Sequence, residues 1–404
     1  MAAQRTEHPR VLPVVGVRLG SAAAGVRYRD RDDLVLMAFA AGSSIAAVFT
    51  RNAFCAAPVT LARRHWQTTA PRFALINAGN ANAGTGAQGL DDALETCALV
   101  AQQVGAPPES VLPFSTGVIG QRLNLDAFRS GVPAAWADLT PTGWSRAARA
   151  IMTTDTRPKG ASRQVRIDGQ TVTLTGIAKG SGMIHPDMAT MLAFVATDAA
   201  IAPADLQAAL ERATRVSFNA VSVDGDTSTN DACLLAATGA GGVRLAPGSE
   251  AWNQWENALT ELCIELAQAM IRDGEGATKF ITLDIRGGRD EAECRQVGFT
   301  IAHSPLVKTA FFASDANWGR LLACVGRAGL RDLDLSGVDL YLGDVCVIRG
   351  GEPDPAYREA QGAGVMREAE ITVRIQLGRG EAAATLWTCD LSHDYVRINA
   401  EYRS

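Results

Sequence analysis

The chain has 404 residues, 47% hydrophobic and 20% charged, a composition that fits a globular protein of two or three lobes and excludes a disordered or fibrous one. A net charge of −5 and an isoelectric point near 5.7 leave no basic footprint for nucleic acid or an anionic membrane. No stretch approaches the ~18 consecutive apolar residues of a membrane span. Glu7, His8 and Arg10 break the apolar segment a secretory signal would need, so the expected location is the cytoplasm.

In chain order, Leu34–Phe39 and Ile45–Thr50 read as strands flanking Gly42, and Phe73–Ile76 is a further apolar run. A helix is predicted over Asp91–Val104, with Leu94, Cys97, Ala98, Ala101 and Val104 on one face and Gly105 as its stop. Gln164–Ile167 and Gln170–Leu174 surround Asp168-Gly169, a two-residue hairpin signal. Helical patterns cover Asp205–Arg215, Asp290–His303 and Asn317–Arg327. Trp252, Trp255, Leu259, Leu262, Leu266 and Met270 mark one face of a longer helix ending before Gly274. Glu370–Leu377 and Ala382–Cys389 are read as two strands forming a hairpin around Gly378-Arg379-Gly380. The elements lack the regular βαβ rhythm of a doubly wound fold. The expected class is therefore α+β, with helices layered on mixed or antiparallel sheets.

Eight cysteines stand singly with no CxxC pair, and five histidines form no HExxH or other ligand cluster, so neither a disulfide framework nor a metal site is expected. Gly84-Thr85-Gly86-Ala87-Gln88-Gly89 matches GxGxxG. Residues 77–83 separate it from the apolar run, and Ala106-Pro107-Pro108-Glu109 stands where the ribose carboxylate would end a second strand. A glycine-rich loop is the plainer reading, and no cofactor is expected. Asp224–Asp231 is dense in oxygen donors but lacks the alternation, the sixth-position glycine and the twelfth-position glutamate of a calcium loop. It reads as a polar loop near a site or a hydrogen-bonded turn.

Met188–Val195 is apolar except for Thr190. One reading is a buried hydroxyl bonded to backbone. The other is a nucleophile: a threonine hydroxyl needs an adjacent base, and an α-amine, with a pKa near ~7.7–8.0, can serve once the chain is cut before it. Breaking Ala189–Thr190, by attack of the hydroxyl on the small Ala189's carbonyl, would free that amine.

The stretch Lys179-Gly-Ser-Gly-Met-Ile-His-Pro-Asp-Met-Ala189-Thr190-Met-Leu192 resembles the processing motif of the ornithine acetyltransferases, also called glutamate N-acetyltransferases. The resemblance runs from Gly16 to the C-terminus. It includes Phe49–Pro58, Asn77–Gly86, Ser115–Gly120, Ile151–Thr156, Asn219–Ser228, Asp273–Lys279, Ser314–Arg320 and Asp394–Ser404.

The resemblance implies a layered α-β-β-α fold that cuts itself into an α chain, residues 1–189, and a β chain, residues 190–404, assembled as an α2β2 heterotetramer. It implies a ping-pong transfer in arginine biosynthesis: Thr190 takes acetyl from N-acetylornithine, releases ornithine and passes the acetyl to glutamate, with acetyl-CoA as an alternative donor in some members. Thr116 and Gly117 match the oxyanion-hole pair. Thr153, with Thr154 and Thr156 as alternatives to it, and Lys179, Thr190, Glu275, Asn399 and Ser404 match the substrate contacts, Lys179 for the α-carboxylate and Glu275 for a cationic amine. The site would thus draw on both sides of the cut. His185 lies at a variable position of the processing motif, where it resembles a triad base only superficially. The rival activity is an N-terminal-nucleophile amidohydrolase or aminopeptidase, in which water resolves the acyl-enzyme. A dehydrogenase built on Gly84–Gly89 and a non-catalytic descendant are further alternatives.

Overall fold

The computed structural model describes Pro9, residues 11–185 and residues 191–401. In chain order its first elements are β1 (Val17–Ala22), β2 (Leu34–Phe39), β3 (Ser44–Phe49), α1 (Ala57–Thr68), β4 (Phe73–Asn80), α2 (Gly86–Val104), β5 (Val111–Val118), α3 (Leu125–Ala137) and α4 (Trp144–Ala150). Next come β6 (Lys159–Ile167), β7 (Gln170–Lys179), β8 (Leu192–Thr197), β9 (Ala200–Ile201), α5 (Pro203–Arg215), β10 (Val221–Ser222), β11 (Ala232–Ala237), β12 (Arg244–Leu245) and α6 (Glu250–Arg272). The last are β13 (Phe280–Gly288), α7 (Glu291–Ala302), α8 (Pro305–Phe312), α9 (Trp318–Gly326), β14 (Asp339–Leu342), β15 (Val345–Arg349), β16 (Glu352–Pro353), α10 (Glu359–Met366), β17 (Glu370–Gln376), β18 (Ala382–Cys389) and α11 (His393–Ala400).

The architecture is mixed α/β in two compact units, and each unit takes residues from both sides of position 190. The first holds a four-stranded sheet, β1-β2-β4-β5, and a five-stranded sheet, β3-β11-β8-β7-β6. Both contain parallel and antiparallel pairs. The period-2 geometry of a strand explains the unbroken apolar run of β2. Val35, Met37 and Phe39 join a core shared with Phe194, Leu234 and Ile177 of the second sheet, whereas Leu34, Leu36 and Ala38 pack with Cys97 and Val100 of α2 and Phe128 and Val132 of α3. Both faces of the strand are buried, so alternation disappears from its sequence.

Helix α6 buries all six apolar residues that marked its face. On β7, Gly176 makes room for them: a Cβ there would stand 2.9 Å from Leu262 Cδ2 and 3.0 Å from Leu266 Cδ1. The Asp168-Gly169 hairpin joins β6 and β7 as expected, with both residues at positive φ, 50° and 80°.

Two readings are corrected. Helix α2 begins at Gly86, not Asp91, and its buried face runs through Ala93, Cys97, Val100 and Ala101, with Ala98 exposed. The polar Asp92 and Thr96 are buried on it as well, which rotates the face away from the one apolarity marks. The strands β17 and β18 exist but do not form a hairpin. In the second unit's sheet, β10-β18-β13-β17-β14-β15-β16, the central β13 lies between them, parallel to β17 and antiparallel to β18. Gly378–Gly380 therefore bridges across the end of β13, where Arg379 and Gly380 donate to the Gly287 carbonyl. Ile281, Leu283 and Ile285 of β13 fill the core under α7, α8 and α9, and so take the central place a hairpin would have closed.

Leu262→Ala is expected to lower stability by about 2–5 kcal/mol, because it removes a side chain wedged against a glycine that cannot fill the space. Urea unfolding of the variant beside the parent checks this.

Candidate active site

The first unit brings together Lys179, at the end of β7, and Thr116, on β5. Both are buried, and the Lys179 ammonium donates to Thr116 Oγ1 at 3.1 Å. Gly117 follows with φ 136°, and a Cβ there would lie 2.1 Å from the Gly79 carbonyl carbon. Only glycine lets β5 pass so close to the bulge at Gly79 and Asn80.

Asparagines hold this end of the sheet. Asn77 Oδ1 accepts from Ser115 Oγ at 2.6 Å, and Asn230 Nδ2 donates to the Ser115 carbonyl at 3.0 Å and the Ala81 carbonyl at 2.6 Å. The glycine-rich motif has a local role too. Gly89 sits against Thr85, whose hydroxyl donates to Asn82 Oδ1 at 2.8 Å, and a Cβ on Gly89 would lie 1.9 Å from the Thr85 oxygen. Its missing Cβ serves the closure of the loop onto α2.

Asp155 is the residue that apolar patterning gave no reason to single out. Its Oδ1 accepts from Lys159 Nζ at 2.6 Å and from the Gly180 N–H at 2.7 Å, and its Oδ2 accepts from the Thr153 N–H at 3.0 Å. One carboxylate thus ties the backbone at Thr153 to the residue after Lys179. Burial alone would raise its pKa, but the charges of Lys159 and Lys179 outweigh that and hold the carboxyl well below the usual range. Asp231 shows the opposite balance. Burial drives its carboxyl well above the ordinary value against the Met191 N–H, which it accepts at 2.8 Å, and against Lys179 and Ser228. A legible signal existed for Asp231: it is an acid placed immediately before the apolar run Ala232–Ala237.

In the second unit Glu275 is buried, its Oε2 accepts from Asn399 Nδ2 at 2.8 Å, and its N–H donates to the Ser181 carbonyl. Gly182 lies close beside it: a Cβ there would stand 2.4 Å from the Glu275 carboxyl carbon and would displace the carboxylate. Asn399, on α11, is exposed. Asp224 accepts from the N–H groups of Met183, Ile184 and Asp226 and from the Tyr395 hydroxyl at 3.3 Å. The carboxylates at the two ends of Asp224–Asp231 are therefore engaged with backbone N–H groups, as in a hydrogen-bonded turn. The His185 ring lies against His303, tilted by 34° with ring centroids 4.4 Å apart. Among the described residues no group of three His, Cys, Asp or Glu is placed to hold a metal ion. Ala189, Thr190 and Ser404 lie outside the described residues.

Asp155→Ala is expected to cost about 3–5 kcal/mol at neutral pH, since it takes the carboxylate away from the buried Lys159 ammonium. The folded-state carboxyl titrates below its ordinary 3.8. Its stabilising contribution is therefore complete above that value and is lost as pH falls, so the gap between parent and variant should narrow below pH ~4. Stability measured across acid pH checks this. Gly117→Ala should lose at least about 1–3 kcal/mol from backbone strain, read as a lower unfolding midpoint.

Sequence comparison agrees across the length of the chain. The ArgJ family model matches residues 18–404. An arginine biosynthesis bifunctional protein ArgJ of Methylococcus capsulatus is 58% identical over 396 residues, 98% of this chain and 97% of its own. Another from Pseudomonas fluorescens is 52% identical over 399 residues, 98% of each chain. Among solved structures, the arginine biosynthesis bifunctional protein of Bacillus halodurans is 38% identical and covers 51% of this chain and 97% of its own, with a TM-score of 0.49. The ornithine acetyltransferase of Mycobacterium tuberculosis, solved with ornithine, is 32% identical over 43% of this chain and 92% of its own, with a TM-score of 0.38. With a family model matched over nearly its whole length and relatives more than half identical end to end, the chain belongs to the ArgJ family.

Proposed function

We propose that the chain cuts itself between Ala189 and Thr190 and then transfers acetyl from N-acetylornithine to glutamate through an acetyl ester on Thr190. The observation that carries the chemistry is the buried Lys179–Thr116 contact, 3.1 Å long, in a chain whose family membership spans residues 18–404. A hydroxyl that accepts from an ammonium still has its own hydrogen to donate, and the charge beside it makes that hydrogen a stronger donor. Thr116, with Gly117, is in this reading the donor pair for the tetrahedral oxyanion, where one such donor is worth about 2.7–4 kcal/mol.

The freed amine of Thr190 takes the hydroxyl proton as the ester forms, and the ester splits one amide-to-amide exchange into two easier steps. Lys179 supplies a cation for the α-carboxylate common to both substrates. Glu275, buried and oriented by Asn399, supplies an anion for the ornithine amine. Thr153 and Ser404 complete the proposed contacts, the first held through its N–H by Asp155. No cofactor or metal enters the scheme.

In this reading residues 1–189 form the α chain and 190–404 the β chain, in a cytoplasmic α2β2 heterotetramer. The layers of the first unit, α2 and α3 on one sheet and α5 and α6 on the other, read as α-β-β-α. The word bifunctional in the relatives' names supports a second activity, for which we propose acetyl-CoA as donor.

Intact-mass measurement after brief mixing with N-acetylornithine tests the scheme. Two fragments split between residues 189 and 190, the second carrying one extra acetyl group, are expected. A single chain of 42.6 kDa would overturn it. Loss of acetyl to water without need of glutamate would indicate the amidohydrolase instead. Thr190→Ala should leave the chain uncut and inactive, and Lys179→Met should weaken substrate binding, read as a higher KM.

A further inference from the structure

Helix α11 buries no side chain, and Val396 on it is 64% exposed. Eight residues are too few to hold a helix by propensity alone, so this one depends on what ties it down. Apart from the edge contact of His393 with the Phe312 ring, its ties are polar. Ser392, just before the first turn, makes no side-chain cap and donates its hydroxyl to the Gly276 carbonyl at 2.6 Å. Tyr395 donates to Asp224 Oδ2 at 3.3 Å. Asn399, one turn on, donates through Nδ2 to the Tyr395 carbonyl at 3.0 Å and to Glu275 Oε2 at 2.8 Å.

The helix and the acid meet closely. Gly276 has φ 68°, and a Cβ there would lie 2.5 Å from the Tyr395 nitrogen, so the helix rests on the backbone directly after Glu275. Asp224 is itself held by the N–H groups of Met183, Ile184 and Asp226. Tyr395 thus joins an anchored carboxylate to the helix that carries Asn399, and Asn399 in turn orients Glu275. The charge around the hydroxyl has one sign: burial first, then Asp224, Glu275 and Asp226, push the Tyr395 phenol above its ordinary value, so it remains a donor at neutral pH. Carboxylates gathered in this way favour a cationic group over a neutral one.

We propose that Tyr395 is a positioning residue for recognition of the substrate's side-chain amine: through Asp224 it sets α11, and through Asn399 it sets the Glu275 carboxylate that meets the ammonium. The proposal rests on the reading of Glu275 as the amine contact, which it deepens. It also gives Asp224 a role that neither calcium binding nor the matched substrate contacts supplied.

The test uses the full-length protein with two acetyl donors, N-acetylornithine and N-acetylnorleucine, in which a methyl group stands where the ammonium would be. The ratio of their kcat/KM values measures amine recognition and does not depend on how much of the protein is folded. E275Q is expected to lower the parent's ratio by at least about tenfold. Y395F keeps the ring and loses the hydroxyl. It is expected to lower the ratio by about three- to tenfold, through a higher KM for N-acetylornithine. If Y395F turns over neither donor, S392A, which releases the other end of the helix, decides by the same ratio. A parental ratio in Y395F beside a collapsed one in E275Q would overturn the proposal. A parental ratio in E275Q would instead sink the reading of Glu275 itself, which separates the two failures.

Discussion

The buried carboxylate of Asp155 is the constraint around which the first unit's polar site is arranged. A charge in that position is tolerable only if its lone pairs are filled, and they are filled by Lys159 and by the N–H groups of Thr153 and Gly180. Those bonds do more than satisfy the carboxylate. They tie the turn after α4 to the end of β7, next to Lys179. The contact with Thr116 inherits its geometry from this anchoring.

The site also separates two carboxylates that share a lysine. Asp155 has a salt-bridge partner and two backbone donors, and its charged form is favoured despite burial. Asp231 has the Met191 N–H, Ser228 and the more distant Lys179, and burial prevails over them. The same residue type, within reach of the same cation, is pushed in opposite directions because Asp155 has the charge of Lys159 beside it as well as that of Lys179. Environments of this kind shift two groups of the same type in opposite directions within one site.

Glycine supplies the remaining precision. Gly117 lets β5 run against the Gly79 bulge, and Gly182 leaves room for the Glu275 carboxyl. Neither position is a flexible hinge in this arrangement. Each is a place where a side chain would occupy space already filled by backbone or by a carboxylate.

Much of this was legible in the sequence. Strand β2, the Asp168-Gly169 hairpin and the apolar face of α6 follow from period and turn chemistry, which are local properties of the chain. The motifs around Lys179 and Thr116 marked both partners of the central contact before it was seen. What the sequence left open were matters of pairing and of burial. Strands β17 and β18 are adjacent in sequence around a glycine turn, yet β13, from far upstream, lies between them, because a central place in a seven-stranded sheet is decided by long-range packing. Asp155 looks like an ordinary surface acid in one dimension, and Asp231 is marked only by the apolar run that follows it. Only the tertiary structure takes both out of water and sets Lys159 against Asp155 but not against Asp231, and so shifts the two in opposite directions.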